Sequence, residues 1–317
     1  MPSVLTIDSL RKTYGDTVAV DDLFLTVQAG EVFGLIGPNG AGKTTTVECA
    51  LGLRRPDAGT VRVLGMDPQA GGAELYRRVG AQLQDAALPD RLTVREALDL
   101  FASFYPATTD RDALLARWGL ADKRDTAFEA LSGGQKQRLF VALALVHDPE
   151  LVVLDEISTG LDPEARRATR TLIRNIQEQG TTVVLVTHFM DEAEALCDRV
   201  ALLNQGRCVA LDAPSALVDR LDTSYRVQFA LPSSFDPAPL RALDGVHAVE
   251  AFDGTVAVRG GDDLLTTVVR HLSEREVTPR DLHAERATLE DVFLALTDET
   301  ASARASAPSS PETISHA

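Results

Sequence analysis

Basic residues are outnumbered in this sequence. Lys and Arg total 31 against 47 Asp and Glu, a formal charge of −16 with a pI near 4.8. Affinity for nucleic-acid phosphates comes from clustered Lys and Arg, so this balance argues against a nucleic-acid partner. Cysteine is also scarce: Cys49, Cys197 and Cys208 are too few and too widely spaced for a disulfide scaffold or a zinc ribbon. They read as ordinary buried thiols in reducing surroundings. Long apolar runs are missing. The longest clean one, Leu139 to Val146, falls far short of the ~20 residues that cross a bilayer. The opening residues Met-Pro-Ser-Val-Leu-Thr-Ile-Asp have neither a basic nor an apolar leader region, so no secretory signal is expected. No internal repeat is visible.

The composition present is that of a globular chain, 44% hydrophobic and 25% charged over 317 residues. At about 100–200 residues per domain, two domains fit. The first two-thirds alternate short apolar strands with helical patterns, as an α/β domain does. Expected strands include Val32–Ile36, Thr60–Leu64, Leu151–Asp155, Thr182–Thr187 and Arg199–Asn204. Between about Gln84 and Pro149 the strand signal stops, and Leu98, Phe101, Phe104, Leu114, Leu115 and Trp118 fall on helical spacing. A helical subdomain over about 85–150 is therefore expected inside a domain spanning 1–218. From 219 to 300 the order β-α-β-β-α-β suggests a small α+β, ferredoxin-like module with a hairpin at Asp253-Gly254. Residues 301–317 are Ala/Ser/Pro-rich and read as a disordered tail.

Three local patterns carry chemistry. In the first, Gly37-Pro38-Asn39-Gly40-Ala41-Gly42-Lys43-Thr44-Thr45 follows an apolar strand and opens a helix, fitting G-x-x-x-x-G-K-[ST] in its required setting. Glycines let successive N–H groups turn toward a phosphate, and the helix aims its positive end at the same anion. Lys43 is expected at the β- and γ-phosphates of ATP, and the Thr44 hydroxyl on Mg²⁺. In the second, Leu151-Val-Val-Leu-Asp155-Glu156 is a buried strand ending in two acids. Asp155 suits Mg²⁺, and Glu156 suits a base acting on water beside the γ-phosphate. His188, at the end of the strand Thr182–Thr187, adds an imidazole at the same sheet edge.

The third pattern is Leu131-Ser132-Gly133-Gly134-Gln135-Lys136-Gln137-Arg138-Leu139 at a helix start, with Ser132 as a suitable N-cap and exposed glycine N–H groups. This string resembles the signature motif of the ATP-binding cassette (ABC) family. The order of phosphate loop, signature, Asp-Glu and His matches too, over about residues 4–215. The resemblance implies a P-loop ABC ATPase fold and further site residues. Tyr14 matches the aromatic that stacks on adenine. Gln84 matches the glutamine that reaches Mg²⁺ or the attacking water and abuts the membrane partner. Gln82 is a competing register, against which Asp85 and the downstream Leu-Thr-Val-Arg-Glu favour Gln84. Gly160-Leu161-Asp162 matches the D-loop. The family usually has Pro-Thr after the catalytic Glu; Ile157-Ser158 stands here.

The resemblance also implies assembly. In this family the signature of one subunit completes the ATP site of another, so a second copy or a homologous ATPase is expected across two Mg-ATP. Ala287-Thr-Leu-Glu-Asp-Val-Phe-Leu-Ala-Leu-Thr297 resembles the C-terminal motif of drug-resistance exporter ATPases of the daunorubicin-resistance type. With no span in the chain, that implies separate transmembrane permease subunits and a place at the cytoplasmic face of the membrane. A non-transport ABC ATPase working on DNA or ribosomes is the alternative. The absence of a second cassette, long coiled coils or zinc modules weighs against it.

Overall fold

The structure, a computed structural model, describes residues 2–84, 86–106, 108–221, 225–230, 236–252 and 254–305. Asp85, Asp253 and residues 306–317, on which the sequence reading also drew, lie outside the described residues. The chain divides into two compact units, Met1–Pro214 and Ser215–Ala317; the sequence reading set the division after 218.

The first unit holds two sheets. Strands β1 (Ser3–Tyr14), β2 (Thr17–Gln28) and β4 (Ala58–Val63) form an antiparallel sheet in the order β2-β1-β4. Strands β3 (Val32–Ile36), β5 (Val79–Gln82), β6 (Leu151–Asp155), β7 (Thr182–Thr187), β8 (Arg199–Asn204) and β9 (Arg207–Asp212) form a second sheet, ordered β5-β6-β7-β3-β8-β9. It is parallel except at the β8–β9 edge. Every residue of β3, β6 and β7 is buried, as expected where helices cover both faces of a parallel sheet. One apolar cluster joins the two sheets, including Leu10, Leu23, Phe33, Val47, Val153 and Val184.

Helices α1 (Lys43–Ala50), α2 (Gly72–Tyr76), α6 (Pro163–Glu178) and α7 (Met190–Leu196) connect these strands, with α8 (Pro214–Val218) at the division. Between β5 and β6 stand α3 (Val94–Ala102), α4 (Arg111–Arg117) and α5 (Gly133–Ala144). Each of the three begins on a side-chain cap: Thr93 and Ser132 in capping boxes with Glu96 and Gln135, and Asp110 on the amides of Asp112 and Ala113. Trp118, Leu98, Leu114 and Leu115 are buried there. Phe104 departs from the expected apolar face. The α3 helix stops at Ala102 before Pro106, and Phe104 is left 65% exposed.

The second unit is a four-stranded antiparallel sheet of β10 (Tyr225–Ala230), β11 (Val246–Phe252), β12 (Thr255–Gly260) and β13 (Arg280–Arg286), ordered β11-β12-β10-β13. Two crossovers are split by an intervening strand. The first is only a 3₁₀ turn, Ala238–Ala242, where Pro237 and Pro239 cut short the helix expected there. The second is α9 (Leu264–Glu274). Val227, Phe229, Val258, Leu264, Val268 and Leu272 make its core. The last helix, α10, runs Leu289–Ala305, into the segment read as tail.

Candidate functional site

The register of the parallel sheet builds the site. Ile36 pairs with Thr187, Asp155 with Val186, and Gln82 with Leu154. Strands β3, β5, β6 and β7 therefore end together, and the residues after each strand emerge at one carboxyl edge, where open α/β sheets hold ligands. After β3 comes the loop 37–42, after β6 Glu156, after β7 His188, and after β5 Leu83 and Gln84.

The loop needs glycine at defined positions. Gly42 has φ 99°, and a Cβ there would stand 2.4 Å from the Ala19 carbonyl oxygen. At Gly37 a Cβ would lie 2.2 Å from the Leu203 carbonyl oxygen. Gly42 is also the N-cap of α1 and provides no side-chain acceptor, so the first-turn N–H groups are left facing the loop. Ala41 is buried, while Pro38, Asn39 and Gly40 are exposed along the rim. Lys43 is 5% exposed, and its Nζ donates to the carbonyl oxygens of Gly37 at 2.7 Å and Pro38 at 3.0 Å. Burial pushes its ammonium down from the ordinary value, and the charges of Glu156 and Asp155 raise it in part. Thr44 is exposed and Thr45 half-buried in the first turn of α1.

Glu156 is the hub. Its Oε2 accepts from Gln84 Nε2 at 3.1 Å, and its Oε1 lies 3.1 Å from His188 Nδ1. Its backbone has φ 51°, a left-handed conformation that costs a non-glycine residue energy and clusters at functional sites. Asp155, one residue earlier, is 1% exposed. A cleft of about 390 Å³ lies beside these groups, lined in part by Thr44, Gln82, Gln84 and Asp155. The glutamine that reaches Glu156 is Gln84; Gln82 is buried and donates to the Leu83 carbonyl oxygen.

Other expected site residues are not brought to this cluster. Ser132 and Gln135 hydrogen-bond each other at the start of α5, Ser132 N to Gln135 Oε1 at 2.9 Å. Gly133 is exposed and Gly134 half-buried beside Leu161 and Ala165. The cleft is lined by Phe140, Leu143 and Ala144 from the same helix; at ~1.5 Å per residue, Ser132 starts the helix about 12 Å before Phe140. Asp162 caps α6 through Ala165 N at 2.8 Å. Tyr14, at the end of β1, is 41% exposed with Lys12 Nζ 5.6 Å and Arg54 Cζ 5.8 Å from its ring centre.

Sequence reasoning missed two features. One is the apolar cleft wall of Leu88, Phe101, Phe140, Leu143 and Ala144. The other is Glu192, a buried acid whose signal was its place on the apolar α7 face with Ala193 and Leu196. Cys49 and Cys197 are buried, and Cys208 is partly so. Burial pushes the Cys49 thiol up to about 11 and raises Cys197 and Cys208 as well. Alkylation of the native chain at pH 8 is therefore expected to be slow at all three and complete in denaturant. Rapid labelling of Cys49 in the folded chain would contradict the packing of α1.

A phosphate-type loop, a strand-end Asp-Glu pair, a glutamine and a histidine on one sheet edge, with a Ser-Gly-Gly-Gln helix start on an inserted helical region, define an ATPase of the ATP-binding cassette class. The family model described as "ABC transporter" matches residues 20–159. The chain is 39% identical over 299 residues to the Nod factor export ATP-binding protein I of Burkholderia lata, covering 91% of this chain and 95% of that protein. It is 36% identical over 307 residues to the daunorubicin resistance ATP-binding protein DrrA3 of Streptomyces coeruleorubidus, covering 94% and 96%. A solved ATP-binding subunit of an ABC transporter superposes with a TM-score of 0.62 at 28% identity, over 68% of this chain and 91% of that one. The chain belongs to the ABC transporter family as an ATP-binding subunit, and it is an ATPase.

Proposed function

We propose that this chain is the motor of an exporter, pairing head-to-tail with a second copy or a homologous ATPase around two Mg-ATP and driving separate membrane permease subunits in drug or antibiotic efflux. The observation that carries the reading is the convergence of Lys43, Gln84, Asp155, Glu156 and His188 on one sheet edge, with the Ser132–Gly134 helix start held away from it on α5. A site so divided within one chain is complete when the signature comes from a partner.

In this reading the 37–42 loop and Lys43 hold the β- and γ-phosphates, with Thr45 beside them, and Tyr14 stacks on adenine. The Thr44 hydroxyl, Asp155 and Gln84 provide hard oxygen donors suited to Mg²⁺, and the glycine cradle leaves room for the phosphates it accompanies. That ion, when bound, draws charge from the phosphate oxygens. Glu156 accepts the proton of the attacking water. His188 and Gln84 orient the Glu156 carboxylate from either side. From the partner, Gly133 and Gly134 present N–H groups and Ser132 a hydroxyl to the γ-phosphate, Gln135 caps the same helix start, and Asp162 stands at the shared interface.

Export is supported by the names of the two relatives, one for Nod factor export and one for daunorubicin resistance. Among the described residues no helix is long and apolar enough to cross a membrane, which is compatible with a separate membrane subunit and a peripheral place at the cytoplasmic face. The test is co-expression of the tagged chain with the membrane protein encoded beside it, extracted in detergent. Co-purification and ATPase activity that rises on adding daunorubicin are expected. Recovery of DNA or ribosomes without any membrane protein would refute the transport reading.

A further inference from the structure

The turn after Glu156 carries Ile157-Ser158, and the structure shows what holds it. Ile157 and Ser158 are each 1% exposed. Ser158 Oγ donates to Glu192 Oε1. Thr187 Oγ1 donates to Glu192 Oε2 at 2.9 Å and accepts from Phe189 N at 3.0 Å. Glu192 is itself 1% exposed, in the first turn of α7. A buried carboxylate is costly unless its oxygens are hydrogen-bonded, and here each oxygen receives one hydroxyl. The two hydroxyls belong to different segments. Ser158 comes two residues after Glu156, and Thr187 directly precedes His188.

Glu156 gives this clamp something to do. Its left-handed backbone persists only where the surroundings over-determine it. Two backbone bonds act on the residue itself: Glu156 N to Val186 O at 2.9 Å, and Thr159 N to Glu156 O at 3.1 Å. Ile157 lacks the ring that restricts φ in proline. The Ser158 hydroxyl is then the side-chain anchor of the turn, and Glu192 is what it is anchored to.

We propose that Glu192 is a positioning residue for ATP hydrolysis. By accepting both hydroxyls it locks the Glu156 turn to the His188 strand end, and so preserves the Glu156–His188 contact of 3.1 Å. It acts through the Glu156 turn rather than on the nucleotide. The proposal rests on the reading of Glu156 as the base.

The test uses the full-length chain with Mg-ATP and with a fluorescent ATP analogue for binding. Glu192→Ala is expected to lower kcat about 10- to 100-fold, the scale of a small misplacement of a reacting group. KM and analogue affinity should stay within about twofold, because only a transition-state interaction is lost. Glu192→Gln should recover most of the rate, since its amide can accept one hydroxyl and donate to the other. In the Glu156→Gln background, Glu192→Ala should cost nothing further, because it acts through Glu156. Hydrogen exchange of the nucleotide-free chain should show the Thr159 and Phe189 amides opening about tenfold faster in Glu192→Ala.

A folded Glu192→Ala chain with wild-type kcat, beside an inactive Glu156→Gln chain, overturns the positioning role. So does unchanged exchange at Thr159 and Phe189. A wild-type rate in Glu156→Gln alone would instead defeat the base reading, while exchange still judges the clamp without nucleotide. Should Glu192→Ala fail to fold, Ser158→Ala and Ser158→Thr carry the same question. A loss with Ala that Thr recovers supports the clamp, and equal rates refute it.

Discussion

Replacing Glu156 by glutamine is expected to slow ATP hydrolysis by about 10²- to 10⁴-fold, the contribution of a positioned general base, and to leave ATP binding intact. The substitution keeps the shape of the side chain and removes its capacity to take a proton. Its neighbours can adapt. Gln84 Nε2 donates to one oxygen and His188 Nδ1 faces the other, each at 3.1 Å. An amide oxygen turned toward Gln84 keeps the first bond. The amide nitrogen then faces His188, whose imidazole can present Nδ1 as an acceptor in its other tautomer. Both contacts survive, so folding stability should change by no more than about 1 kcal/mol, the net worth of one hydrogen bond. With binding retained and hydrolysis blocked, the closed pair should accumulate. Size-exclusion chromatography with ATP should show the apparent mass doubling in Glu156→Gln and little or no stable pair in wild type. Hydrolysis at the wild-type rate would remove Glu156 from the mechanism; loss of ATP binding would mean that the carboxylate helps to hold the Mg²⁺ that accompanies ATP rather than acting on water.

Much of this site was legible because its pieces are local in sequence. A phosphate loop, an Asp-Glu strand end and a strand-end His are short strings whose placement is set once the strands are found. Strands β3, β6, β7 and β8 were readable as continuous apolar runs, since they sit at the centre of a parallel sheet. Strands β1 and β2 are harder to read for the opposite reason. They are twelve residues each and partly exposed, and register shifts break their pairing, with Ser9 and Asp22 at positive φ. Irregularities of that kind interrupt the two-residue alternation that sequence reading depends on. Phe104 shows the same limit in a helix, where apolar spacing continued past the point at which the backbone stopped.

Glu192 was illegible in another way. In sequence it is one acid among several in Met190-Asp191-Glu192-Ala193-Glu194, indistinguishable by type from its neighbours. Its role depends on Ser158, 34 residues away, and on the burial of both. Pairing across that distance is a property of the folded sheet edge. Periodicity could have flagged Glu192 as facing inward, but not what it meets there.

Lys43→Ala is expected to abolish nucleotide binding in the usable range, raising the ATP Kd by about 100-fold or more, on the scale of breaking a charge-assisted contact to phosphate. Hydrolysis should fall with it. The structure explains why the loss would be selective. Lys43 is buried, and its ammonium is satisfied by the carbonyl oxygens of Gly37 and Pro38 at 2.7 and 3.0 Å. Burial has already lowered its affinity for the proton, so the charge is held at a cost that a bound phosphate would relieve. Removing the side chain removes that cost along with two hydrogen bonds. The melting temperature of the nucleotide-free chain should therefore move by only a few degrees, the equivalent of about 1 kcal/mol or less in a chain of this size. The wild-type chain should gain thermal stability on adding Mg-ATP, as any protein does whose native state alone binds a ligand, and Lys43→Ala should gain none. Lys43→Arg should behave like Lys43→Ala rather than like wild type. The carbonyl oxygens of Gly37 and Pro38, 2.7 and 3.0 Å from Nζ, are set for the compact donors of an ammonium rather than for a planar guanidinium with its fixed fork. An arginine variant that binds ATP normally would mean that the loop recognises charge alone, and that the two carbonyl contacts of Lys43 do not set its geometry.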